Sequence, residues 1–158
     1  MSDDHPRRLF LRSLLPRVRL TGVRSECPAR EAGTVLLGQR LCWAAGLAEL
    51  EQVEIANLTR GGRLVAHVGF GPEREVVVAG PGTGEMSPGD SLRISAYAWV
   101  PTGAIDRHAA IMAQVDASNA LIEFRRMSPR LLRVDPTFRA PPPAIDVIVE
   151  LPPLRQST

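Results

Sequence analysis

Two side chains on one short stretch of this sequence are suited to act together on a small acid. Arg63, Val65 and His67 alternate in a segment that reads as a β-strand, and residues at i, i+2 and i+4 of a strand share a face. An arginine placed there suits bidentate binding of a carboxylate, and a histidine suits proton transfer. The same alternation equally fits two half-exposed strand residues with no ligand. The run Gly80-Pro81-Gly82-Thr83-Gly84 offers successive backbone amides to an anion. No helix is expected after it and the chain contains no lysine, so nucleotide and dinucleotide fingerprints are not met and a tight loop between strands is the better reading. His5, His67 and His108 are far apart and no Gly-x-Ser-x-Gly elbow is present, which disfavours a Ser-His-Asp triad. Cys27 and Cys42 form no CxxC pair and have no histidine close by, so reduced thiols are expected and no metal site.

These groups need a scaffold, and the composition bounds it. The chain has 158 residues, 44% of them hydrophobic, with 13 Gly and 14 Pro, which suits one globular domain with turn-rich connections. A chain of this length buries roughly 70% of its unfolded surface and needs neither disulfide nor structural metal to fold. All 19 basic residues are arginine, so chemistry that uses a side-chain amine, from Schiff bases to a phosphate-loop lysine, is excluded. The formal charge is +2, the arginines are interspersed among 17 acids, and aromatic residues make up 4%; no nucleic-acid partner is expected. The stretch from Arg7 to Pro16 looks like a signal start, but Arg12 interrupts its apolar run and no cleavage site follows. No other run approaches membrane-spanning length, so a cytoplasmic protein with no membrane partner is expected.

Along the chain, residues 1–8 are polar and expected to fray. Leu14 to Val23 and Gly33 to Leu37 read as strands, and Leu41 to Glu51 as a helix weakened by Gly46. Gln52 to Leu58 and Arg63 to Phe70, around a Thr59-Arg60-Gly61-Gly62 turn, predict a hairpin. Glu75 to Ala79 is apolar enough for a strand buried on both faces, and Leu92 to Val100, Ile111 to Val115 and Ala120 to Phe124 read as further strands. Many short strands with one short helix predict a small, mainly β barrel over residues 9–124. Residues 125–158 form a basic, proline-rich extension in which Ile145 to Leu151 reads as an edge strand.

Gly33-Thr34, Ala44-Ala45-Gly46-Leu47, Glu51, Asn57-Leu58-Thr59, Gly61 and Arg63 stand in one register without a gap. In this pattern the chain resembles the bacterial aspartate 1-decarboxylases. The likeness continues more loosely through Val76 to Val78, the Gly80 loop and Gly89-Asp90 to the turn at Asp116 and Asn119. The resemblance implies a small double-psi β-barrel, a homotetramer with sites between subunits, and a carboxylate-bearing small-molecule substrate. It also implies a self-made pyruvoyl-type cofactor, in which a hydroxyl attacks the preceding glycine carbonyl and the resulting ester eliminates and hydrolyses to a keto-acyl terminus. That ketone condenses with the substrate amine and serves as the electron sink for loss of the α-carboxylate. The pathway implied is β-alanine and pantothenate supply.

Carried over by position, Gly33 and Thr34 take the places of the cleaved glycine and serine, Arg63 that of the carboxylate-binding arginine, and Gly80 that of the glycine in the loop lining the site, with Gly82 beside it. His67 stands where the family has its proton-donating tyrosine, Leu14 where it has a lysine, Ala79 where it has an asparagine, and Ala66 where it has a hydroxyl residue. With threonine at 34 the self-derived group is 2-oxobutanoyl, and the extra methyl stiffens χ1 and crowds the ketone. Two functions follow: a decarboxylase that processes itself at Thr34, or an unprocessed barrel repurposed as a tailoring enzyme such as a cyclase, or as a non-catalytic binding or regulatory homologue.

Overall fold

The computed structural model describes residues 6–24 and 33–130. β1 (Arg7–Arg19) pairs antiparallel with β7 (Ser91–Pro101), from Arg7 opposite Pro101 to Arg19 opposite Ser91. The remaining strands among the described residues are β2 (Gly22–Arg24), β3 (Gly33–Gly38), β4 (Gln52–Asn57), β5 (Arg63–Gly71), β6 (Val76–Ala79), β8 (Ala110–Val115) and β9 (Leu121–Met127). They form one mixed sheet in the order β2-β6-β3-β5-β4-β7-β1-β8-β9.

Only Leu20 and Thr21 separate β1 from β2, yet these two strands lie at opposite ends of the run β2-β6-β3-β5-β4-β7-β1. The sheet must therefore curl back on itself, and the closing link is sealed by hydrogen bonds. The Leu20 amide donates to the Asp90 carbonyl at 2.9 Å, the Thr21 amide to the Val76 carbonyl at 2.8 Å, and the Val76 amide to Thr21 Oγ1 at 2.9 Å. The pairs β1·β8, β2·β6 and β3·β5 are parallel and the rest antiparallel. This is the small, mainly β barrel expected from many short strands with one short helix. Its interior is filled by inward-facing residues of the strands, among them Leu15, Leu37, Ile55, Val68, Val78 and Ile94. Each such side chain contributes roughly 1.5–3 kcal/mol on burial. β6 is buried at all of Val76, Val77, Val78 and Ala79, as its continuous apolar run requires.

The β4–β5 hairpin expected from the Gly61-Gly62 turn is present, and Asn57 organises it. Asn57 Oδ1 accepts the amides of Thr59 and Arg60, each at 3.0 Å, while Gly61 and Gly62 adopt φ of 82° and 90° that a side chain would resist. Asn57 Nδ2 donates to Asp90 at 2.9 Å, tying the turn to the start of β7.

The structure corrects several boundaries. The helix, α1, spans Gln39–Ala45 and stops well short of Glu51. Gly46 takes a left-handed φ of 69°, its amide reaches the Trp43 carbonyl and that of Leu47 the Cys42 carbonyl, a helix end that glycine favours. Ser13 Oγ donates to the Ala45 carbonyl and Arg12 to the Gly46 carbonyl, both at 2.6 Å, so β1 caps what the sequence reads as helix interior. β1 begins at Arg7, so Arg7 and Arg8, read as part of a frayed end, are paired with Pro101 and Val100. β9 continues past Phe124 to Met127, opposite Ala110. A 3-10 turn over Thr102–Arg107 was not expected; the Thr102 amide and Oγ1 both donate to the Pro6 carbonyl. The Ile145–Leu151 strand, His5 and Cys27 lie outside the described residues. Among the described residues no helix is long and apolar enough to cross a membrane.

Candidate functional site

Side chains directly opposite one another on neighbouring strands share a face. On the outer face of the barrel, Ala79 of β6, Thr34 of β3, His67 of β5 and Gln52 of β4 are successive partners across four strands. Val35, Ala66, Val68 and Val78, next to them in sequence, point into the core, which leaves Thr34 and His67 half-buried on the outside. The site is thus built by register.

Gly33, the residue before Thr34, is buried and pressed against β5. A Cβ there would lie 3.3 Å from the Val65 carbonyl oxygen and 3.7 Å from Ala66 Cβ. Continuing the antiparallel register from Thr34 opposite Ala79 sets Gly33 opposite Gly80. Gly80 has φ of 102°, its amide donates to the Arg24 carbonyl at 3.1 Å, and its carbonyl accepts the buried Thr83 hydroxyl at 2.9 Å. At Gly82, with φ of 86°, a Cβ would meet Leu64 Cδ1 at 2.9 Å, so the loop folds back onto β5. Gly33, Thr34, His67 and Gly80 therefore gather around one backbone bond, while Gly82 touches β5 at Leu64.

Arg63 stands further along the same strand. It shares the outward face with Val65 and His67, but four residues of strand place its Cα about 13 Å from that of His67. Its side chain is 75% exposed and its Nη1 pairs with Glu54 at 3.1 Å. Sequence alternation gave the face and not the partner. Of the positions that depart from the family pattern, Ala66 pairs with Gly33 and Ala79 with Thr34, so small apolar side chains flank the dipeptide on both neighbouring strands. Leu14 pairs with Ser95 and Met112, strands away from Thr34.

Two residues beside the site went unread in the sequence. Gln52 lies next to His67, a position that counting pairs outward from the hairpin turn would have found. Gly69 approaches Thr34 from β5, where a Cβ would lie 3.3 Å from Thr34 Cγ2. His108 is elsewhere: its Nε2 is 2.8 Å from the Leu11 carbonyl oxygen and its ring packs on Phe10.

The perturbed ionisable groups lie outside this row. Asp90 is held below the ordinary carboxylate range by its hydrogen bond from Asn57, against the opposing effect of burial, with further help from the Ser87 amide and Arg60. Asp116 is lowered by Ser118 and by the amides of Ala120 and Ser118. Burial, reinforced by the charge of Glu73, pushes the Cys42 thiol up to about 11.

The aspartate decarboxylase family model matches residues 7–122, which is the barrel and its site. An aspartate 1-decarboxylase of Salinibacter ruber is 30% identical over 120 residues, spanning 75% of this chain and 80% of the relative. One from Pyrobaculum islandicum is 35% identical over 96 residues, 61% of this chain and 78% of the relative. An aspartate 1-decarboxylase 2 of a Polaromonas species is 29% identical over 124 residues, 77% and 95% respectively. With that match laid over a closed barrel that sets Gly33-Thr34 against His67 and the Gly80 loop, the chain belongs to the aspartate decarboxylase family of carboxy-lyases, as a divergent member.

Proposed function

We propose that this protein is an aspartate 1-decarboxylase-like enzyme that breaks its own Gly33–Thr34 bond and uses the resulting 2-oxobutanoyl group to remove the α-carboxylate of an amino acid with a second acidic group. The observation that carries this reading is the pairing of Thr34 with His67 beside a tightly held glycine. The Thr34 hydroxyl adds to the Gly33 carbonyl, the C–N bond breaks, and an ester links Gly33 to Oγ1. Elimination then releases the Gly33 carboxylate, and addition of water with loss of ammonia leaves the ketone on residue 34. Confinement of hydroxyl and carbonyl in adjacent residues of a rigid strand supplies the proximity such a step needs.

The residues present fit this group, because the bare backbone at Gly69 leaves room for the methyl that distinguishes threonine from serine. Once formed, the ketone supplies the electron sink for decarboxylation. His67, alongside residue 34, holds and returns a proton at its imidazole. Arg63, on its long exposed side chain, exchanges Glu54 for the distal carboxylate of the substrate. Because the row lies on the barrel's outer face, a second copy of the chain covers it, in a homotetramer.

The apolar flanks at Ala66 and Ala79 favour a second reading. In that reading the barrel stays intact and takes a different ligand, as a tailoring enzyme or a binding homologue. Denaturing mass spectrometry of purified protein separates the two. Self-processing yields fragments 1–33 and 34–158 whose summed mass is that of the chain plus water minus ammonia; an intact chain alone ends the first reading.

A further inference from the structure

We infer that Gly69 is a positioning residue that sets the χ1 rotamer of Thr34 and so aims its hydroxyl at the Gly33 carbonyl, an inference that rests on the self-processing reading. Gly69 sits within β5, two residues beyond His67 and opposite Leu36. Its backbone is not among the glycines with positive φ, so conformation alone does not require glycine here. A glycine inside a strand weakens it. Its reason is space: a Cβ at this position would lie 2.8 Å from Leu36 Cδ2 and 3.3 Å from Thr34 Cγ2.

Those two neighbours respond differently. Leu36 Cδ2 is the far end of a flexible side chain and turns away. Thr34 Cγ2 is bonded directly to Cβ of a β-branched residue with a stiff χ1, and Oγ1 shares that Cβ. Any push on the methyl therefore rotates the hydroxyl by the same angle. With glycine at 69 the methyl occupies the cross-strand gap and the direction of Oγ1 is thereby set. Serine has no Cγ2 and would not need the gap. Gly69 is thus the accommodation on β5 for threonine at 34.

The test is a double-mutant cycle of the full-length chain, Gly69→Ala and Thr34→Ser singly and together. Cleavage of Gly33–Thr34 is followed by denaturing mass spectrometry, with melting temperature to show that each variant is folded. A misplaced hydroxyl should slow cleavage of Gly69→Ala by about a hundredfold, while adding Gly69→Ala to Thr34→Ser should change the rate little. Equal slowing in both backgrounds would mean a general packing effect through Leu36 and would overturn the inference. An independent readout is the Thr34 χ1 angle from NMR three-bond couplings in uncleaved protein. Gly69→Ala should move it to another rotamer, and an unchanged angle also overturns the proposal. If the wild-type chain never cleaves, the self-processing reading fails, and the coupling measurement still decides whether Gly69 sets the rotamer.

Discussion

Thr34 on β3 and His67 on β5 are direct partners in a parallel pair, so the hydroxyl and the imidazole occupy one face of the sheet on adjacent strands. Strands lie about 4.8 Å apart, which leaves no room for a third strand's side chain between them. His67→Gln should lower kcat for decarboxylation by about 10²- to 10³-fold, the usual scale for loss of a general acid, with KM and melting temperature little changed. Steady-state kinetics would check this. An unaltered kcat would remove His67 from the proton path, and partial recovery in His67→Tyr would support it.

Arg63 and Glu54 form an exposed pair, worth about 0–1 kcal/mol at most in stability. Glu54→Gln should therefore leave the melting temperature nearly unchanged while releasing Arg63 to a substrate carboxylate. Arg63→Gln should raise KM for an acidic amino acid by about ten- to a hundredfold, the scale of a charge-assisted hydrogen-bonded contact. A KM that does not respond to either substitution would show that the carboxylate is bound elsewhere.

Asp90 carries a depressed pKa, mainly through its hydrogen bond from Asn57. A depressed folded-state pKa gives stability that is fully present above the unfolded carboxylate value, about 3.9, and is lost as pH falls through the lower folded value. Melting temperature should thus be flat from neutral pH down to the carboxylate range and fall below it. Asp90→Asn should lower the neutral-pH plateau and flatten the acid limb, to which Asp116, also depressed, contributes. An unchanged acid limb in Asp90→Asn would show that the hairpin anchor is not what acid breaks.

Cys42 is buried, with its thiol pushed up to about 11. In a Cys27→Ser background, its reaction with an aromatic disulfide reagent at pH 8 should be at least about a hundredfold slower in folded than in denatured protein, since the thiolate is the reactive form. Fast stoichiometric labelling of the folded protein would place Cys42 at an open surface instead.

Much of the barrel is legible in local pattern. The β4–β5 hairpin follows from Gly61-Gly62 between two apolar runs, and the fully buried β6 from its unbroken valines. The helix boundary is not legible to the same degree, because leucine and alanine at helical spacing continue past Gly46 while β1 supplies Arg12 and Ser13 to end it. No local signal announces a cap that comes from residues more than thirty positions away.

The same division runs through the site. By itself the sequence determined that no lysine amine is available, that Gly33-Thr34 stands in a decarboxylase-like register, and that Arg63 and His67 share a strand face. Those are matters of composition and of a period of two, which the chain carries locally. Only the tertiary structure decided that His67, Ala79 and Gly69 surround Thr34, and that Arg63 faces Glu54 instead. Neighbours across strands depend on how the sheet closes at Leu20 and Thr21, and closure sums contacts over the whole chain, so no short stretch of sequence contains it.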